Sequence, residues 1–120
     1  MSFKKLLAYE KGFDLAMTIL KLSKNFPKEE TYSLTDQIRR SSRSVCANIA
    51  EAYRKRRYEK HFISKLNDSD AENSETQVWL DFALACEYIS IETYTELTEK
   101  SAEVGKLINY MINNPSKFGV

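Results

Sequence analysis

The sequence predicts an all-α fold, an antiparallel up-down-up-down four-helix bundle that takes in residues 1–120 as one domain. Two observations predict it. Apolar residues recur at three- and four-residue intervals along four successive segments, the spacing of a helix with one buried face. Three glycines and two prolines in 120 residues leave little to interrupt long helices. Apolar content of 42% is close to that of ordinary folded domains and suits a single core.

In the first segment, Leu6, Tyr9, Phe13, Ala16 and Leu20 form an apolar stripe on a helix from about Lys4 to Asn25. Phe26-Pro27 ends it, because a residue before proline is pushed out of the α region. Ser33-Leu34-Thr35-Asp36 then reads as a variant capping box opening the second helix. Leu34, Ile38, Val45, Ile49 and Tyr53 form its buried seam, with Ser41, Ser42 and Ala52 as small fillers that admit a close neighbour. Arg54-Lys55-Arg56-Arg57 marks the turn into the third and longest helix, from about Tyr58 to Tyr88, roughly 45 Å long. Its seam is Phe62, Leu66, Ser69, Asn73, Thr76, Leu80, Ala83 and Glu87, with a polar middle. The fourth helix opens at Ser90 or Ile91, buries Tyr94, Leu97, Ser101, Val104, Ile108 and Met111, and stops at Asn113-Asn114-Pro115. Residues 116–120 are a short tail.

Winding residues 78–86 at about 100° each spreads Val78, Trp79, Leu80, Phe82, Ala83, Leu84 and Cys86 over roughly 240°. A monomeric bundle needs an apolar arc of little more than about 100°. A large core with Trp79 at its rim accommodates part of that excess. The favoured reading makes Val78, Trp79 and Phe82 a contact with a second copy of the chain, since water would otherwise face the patch.

Chemistry-bearing residues are sparse. Cys46 and Cys86 sit in apolar helical patterns and read as buried free thiols. His61 is the sole histidine, and no Cys/His cluster is present to make a metal site. Asp68, Glu72 and Glu75 are near one another, but carboxylate metal sites in bundles also use Glu-x-x-His pairs, and His61 has no glutamate three residues before it. The expectation is a protein that is not an enzyme and has no cofactor. No apolar run reaches the roughly 18 residues of a membrane span, and no secretory leader is legible; the cytoplasm is the expected compartment.

A net charge of +1 conceals an asymmetry. Between residues 36 and 67 nine basic side chains face three acids, whereas between 68 and 103 ten acids face Lys100 alone. Such halves can pair within the fold or present opposite faces to partners.

The segment from Tyr32 to Tyr53, with Leu34-Thr35, Gln37-Ile38-Arg39-Arg40-Ser41-Ser42, Ser44-Val45 and Asn48-Ile49-Ala50-Glu51 in it, resembles the signature of the bacterial four-helix-bundle family. Its members are also called ribosomal-RNA intervening-sequence proteins, because some are encoded inside large-subunit ribosomal RNA genes. Glu75-Thr76-Gln77-Val78-Trp79-Leu80-Asp81-Phe82-Ala83 and Tyr88-Ile89 are similar to a second block of the family. Ala52 stands where many relatives carry glycine. The resemblance implies a four-helix bundle assembled as a homopentamer, in most members without an assigned activity. Distantly, it reaches the accessory protein of diversity-generating retroelements, a basic pentamer that contacts nucleic acid.

Two functions follow as expectations. In the first, a homo-oligomer binds nucleic acid or ribonucleoprotein through Arg54, Lys55, Arg56, Arg57 and Arg40, whose donors fit phosphate oxygens. Tyr53 and Tyr58, interleaved with the run, could stack on bases or fill helix seams. Arg39 and Arg43 read as partners of Asp68, Glu72 or Glu75 in an ion-pair network within or between subunits. In the second, the protein is a structural adaptor, with Glu92, Glu96, Glu99 and Glu103 facing a basic protein.

Overall fold

The computed structural model describes residues 2–120 and shows four α-helices, with no strand among the described residues. Helix α1 spans Leu7–Ser23, α2 Leu34–Arg54, α3 Glu59–Ala85 and α4 Ile91–Asn113, with 3-10 turns at Phe3–Lys5, Lys28–Glu30 and Pro115–Phe118. Each helix packs on its neighbours in chain order and α4 closes against α1, giving a bundle with extents of 44 × 25 × 20 Å. Helix α2 lies most extensively on α3.

The core is two apolar clusters separated by a polar layer. One holds Val45, Ile49, Phe62, Leu66, Val104, Ile108 and Met111; the other holds Leu15, Ile19, Ile38, Leu80, Ala83 and Leu97. Between them the polar middle of the α3 seam is buried and satisfied. Ser69 Oγ donates to Val45 O at 2.8 Å and Thr76 Oγ1 to Ser41 Oγ at 2.9 Å. Asn73 Nδ2 donates to Ser101 O, and Ser101 Oγ returns a bond to Asn73 Oδ1, both at 2.9 Å. Left unpaired, each of these groups would cost about 1–3 kcal/mol; paired, they set the axial register of α3 against α2 and α4.

The α3 seam is buried as expected from Phe62 to Ala83, but Glu87 is not part of it. The helix stops at Ala85, and Glu87 takes a left-handed φ of 62° beyond the cap. Tyr88 N–H reaches Ala83 O and Glu87 N–H reaches Leu84 O, both at 2.9 Å, so a Schellman motif satisfies the last carbonyls. Cys86 consequently lies past the helix end and is exposed, which corrects the expectation of a buried thiol; Cys46 is buried.

The first helix is rotated from the stripe read in the sequence. Ala8, Gly12, Leu15 and Ile19 point inward, while Phe13 is 50% exposed. Two apolar stripes run side by side on α1, and packing selects the one with small residues. A Cβ on Gly12 would lie 3.3 Å from Cys46 Sγ, a separation that only a close approach of α1 to α2 produces. The start of α2 differs too: Ser33 does not cap it. Glu30 Oε1 accepts from Ser33 Oγ at 2.6 Å and from Leu34 N–H at 3.3 Å, so a carboxylate from the preceding turn serves the first N–H of the helix.

Candidate functional site

The turn joining α2 to α3 carries four consecutive basic residues at one end of the bundle. Helix α2 ends where Lys55 N–H bonds the Glu51 and Ala52 carbonyls at 3.1 and 3.0 Å, and Tyr58 N–H closes the turn on Lys55 O at 3.0 Å. Arg54, Lys55 and Arg57 project into solvent. Arg56 is half-buried, its guanidinium carbon 3.6 Å from the centroid of the Tyr53 ring. Stacked there, its Nη1 is shielded and has no hydrogen-bond partner among the described residues. Tyr58, His61 and Gly119 complete the walls of a shallow recess around the run.

None of Arg54, Lys55, Arg56 or Arg57 forms an ion pair among the described residues. A nearby carboxylate, Glu51, is engaged elsewhere: Lys65 Nζ lies 3.1 Å from it and 3.8 Å from Asp68. The Glu51 contact, reinforced by Asp68, raises the Lys65 pKa and keeps that amine charged. The turn therefore presents a basic surface whose neighbourhood does not neutralise it.

Arg39, Arg43 and Arg40 fall into different surroundings. Arg39 Nε donates to Ser23 Oγ at 2.7 Å, tying α2 to the last turn of α1. Arg43 is exposed at the edge of a groove between α1 and α2. Neither forms an ion pair with Asp68, Glu72 or Glu75 within the protomer, which leaves the intersubunit form of the expected network. The reason is rotational: positions 39 and 43 lie on the α1 side of α2, whereas Arg40, one residue on, lies toward α3. There Arg40 partly offsets a rise in the Glu72 pKa caused first by desolvation and then by Glu75 beside it.

Among the apolar surfaces left uncovered in the protomer, two bear on assembly. On α3, Val78 is 45% and Phe82 52% exposed, and Trp79 packs on Phe82 with ring centroids 5.9 Å apart. The Trp79 Nε1 is shielded and lacks a hydrogen-bond acceptor among the described residues. The second surface, missed in the sequence, is the α1–α2 groove of about 370 Å³, lined by Tyr9, Phe13, Met17, Cys46, Ala47 and Ala50 among others. Its signal was present as Tyr9 and Phe13 of the α1 stripe read in the sequence, which packing leaves on this groove. Among the described residues, no three His, Cys, Asp or Glu side chains converge on a possible metal position, and no helix is long and apolar enough to cross a membrane.

The sequence model of the 23S rRNA-intervening sequence protein family matches residues 4–110. Among solved structures, the chain is similar to a protein of unknown function from the S23 ribosomal protein family of Bacteroides thetaiotaomicron. The two are 33% identical, with a TM-score of 0.81 over 89% of this chain and 96% of that one. No curated protein matches.

Proposed function

The chain belongs to the 23S rRNA-intervening sequence protein family, and from that premise we propose that it is a non-enzymatic, self-associating bundle whose basic end binds nucleic acid or ribonucleoprotein. The observation that carries the reading is the run Arg54–Arg57, four adjacent cations without an acidic partner among the described residues. Unpaired cations on a rigid turn exchange bound counter-ions for phosphates at little desolvation cost. The two uncovered apolar surfaces support self-association. They lie on different faces, so one copy's α3 patch would meet the next copy's α1–α2 groove head to tail, an arrangement that forms a ring when the rotation between copies closes. Family resemblance makes five copies the expected number. A ring repeats the basic turn and converts a modest patch into a multivalent one.

The test is retention of labelled RNA and DNA across a salt series, comparing wild type with Arg54→Gln/Lys55→Gln/Arg57→Gln. Wild-type affinity should fall steeply with salt, and the variant should bind weakly with a slope smaller by about 0.7–0.9 for each phosphate contact removed. Unchanged binding by the variant would overturn the assignment. A second reading, an adaptor for a basic protein, is favoured by Glu92 and Glu99 of α4, both exposed and without an ion pair among the described residues. It predicts no polynucleotide binding at any salt concentration.

A further inference from the structure

The two tyrosines flanking the basic run have opposite fates, and the difference bears on what kind of polynucleotide the turn can take. Tyr53 is buried and roofed by the Arg56 guanidinium, so its ring is closed to a ligand. Tyr58 is 58% exposed and stands directly after Arg57. Its backbone is fixed at both polar atoms: Tyr58 N–H bonds Lys55 O, and Phe62 N–H bonds Tyr58 O, each at 3.0 Å. The His61 ring lies beside it, centroids 5.6 Å apart and planes inclined at 45°. An exposed aromatic pair on a rigid helix start is thus set among Arg54, Lys55 and Arg57, in one recess.

Other exposed tyrosines lack this setting. Tyr32 follows Glu29 and Glu30, and Tyr110 is engaged by Lys117 Nζ, which donates to its hydroxyl at 2.9 Å. Covering an exposed ring face removes apolar surface from water, and a nucleobase is a flat partner that can do so by stacking. In a duplex, base faces are covered by their neighbours and only phosphates and groove edges are offered. An unpaired strand offers a phosphate and a free base face together, the two features juxtaposed here.

Resting on the nucleic-acid reading above, we infer that the α2–α3 turn is selective for single-stranded polynucleotide, with a base stacked on the Tyr58–His61 pair and the adjacent phosphates held by Arg54, Lys55 and Arg57. Selectivity arises because the stacking contribution is withdrawn when the base is already paired and stacked.

Fluorescence anisotropy with labelled 12-nucleotide single-stranded RNA, single-stranded DNA of the same sequence, and the corresponding duplexes tests it. The wild-type protein should favour single strands over duplexes by roughly 10-fold or more. Tyr58→Ala should lower single-strand affinity by a similar factor while leaving duplex affinity and thermal stability unchanged; Tyr58→Phe should retain it. Equal loss for RNA and DNA identifies stacking as the sole discriminator, and a loss confined to RNA adds recognition of the ribose hydroxyl; both support the inference. Equal affinity for single strands and duplexes, with Tyr58→Ala silent, would overturn the inference and leave the phosphate-binding reading intact. Absence of binding to every probe would overturn both.

Discussion

Glu30 shows how one side chain outside a helix can govern both its start and a distant loop. Its carboxylate accepts from Ser33 Oγ, from Leu34 N–H and, at 2.8 Å, from the Tyr88 hydroxyl beyond the end of α3. Those bonds, Ser33 first and Tyr88 next, lower the Glu30 pKa. The same carboxylate pushes the Tyr88 phenol up to about 12. A depressed carboxyl pKa contributes stability that is complete above the ordinary value of about 4.3 and is lost as pH falls through the folded value. A raised phenol pKa contributes stability that is complete below about 10 and is lost as pH rises through the folded value. Glu30→Gln should therefore flatten both the acid and the alkaline limbs of a stability–pH profile measured by urea unfolding. Profiles that superimpose with the wild type would contradict this role. Cys46 is controlled by burial alone, which raises its thiol to about 11 and keeps it protonated at neutral pH.

At the scale of the element, helix ends are where local geometry departs furthest from residue preference. The Schellman turn after α3 places Glu87, a residue with a Cβ, at a left-handed φ. Glycine adopts that conformation without the steric penalty, so Glu87→Gly should raise stability by about 1 kcal/mol in chemical denaturation. A loss of stability would show that the Glu87 side chain contributes more than its strain costs. Within helices, the polar layer constrains substitutions in the opposite direction. A Cβ on Gly105 would come within 3.2 Å of Asn73 Nδ2, and that amide is held by Ser101. Glycine in α4 thus makes room for a fixed hydrogen-bonded asparagine, although alanine would be the better helix former.

For the whole molecule, the decisive feature is apolar surface the protomer does not cover. Phe82 and Val78 on α3, and Phe13 and Met17 on α1, are exposed, yet none carries a polar function. Val78→Glu/Phe82→Lys replaces the α3 pair with an i,i+4 couple that suits an isolated helix. In sedimentation, the wild-type chain should run as a multiple of its 13.9 kDa protomer and the variant as the protomer itself, with unchanged helical circular dichroism. A wild-type protein that sediments as a monomer at micromolar concentration would remove both the ring and its multivalency.

The sequence by itself determined the four helices, most of their buried seams and the basic turn. Helical periodicity and the placing of Pro27 and Pro115 are local signals, and the α3 seam from Phe62 to Ala83 is legible from spacing alone. Only the tertiary structure decided which of two apolar stripes on α1 faces inward, because both have the same period and the choice depends on how closely Gly12 lets α2 approach. It also decided that Arg39 turns to Ser23 while the Arg54–Arg57 run has no acidic partner among the described residues. Charge pairing depends on rotation about a helix axis, and a shift of about 100° between neighbouring positions sends adjacent arginines to different partners.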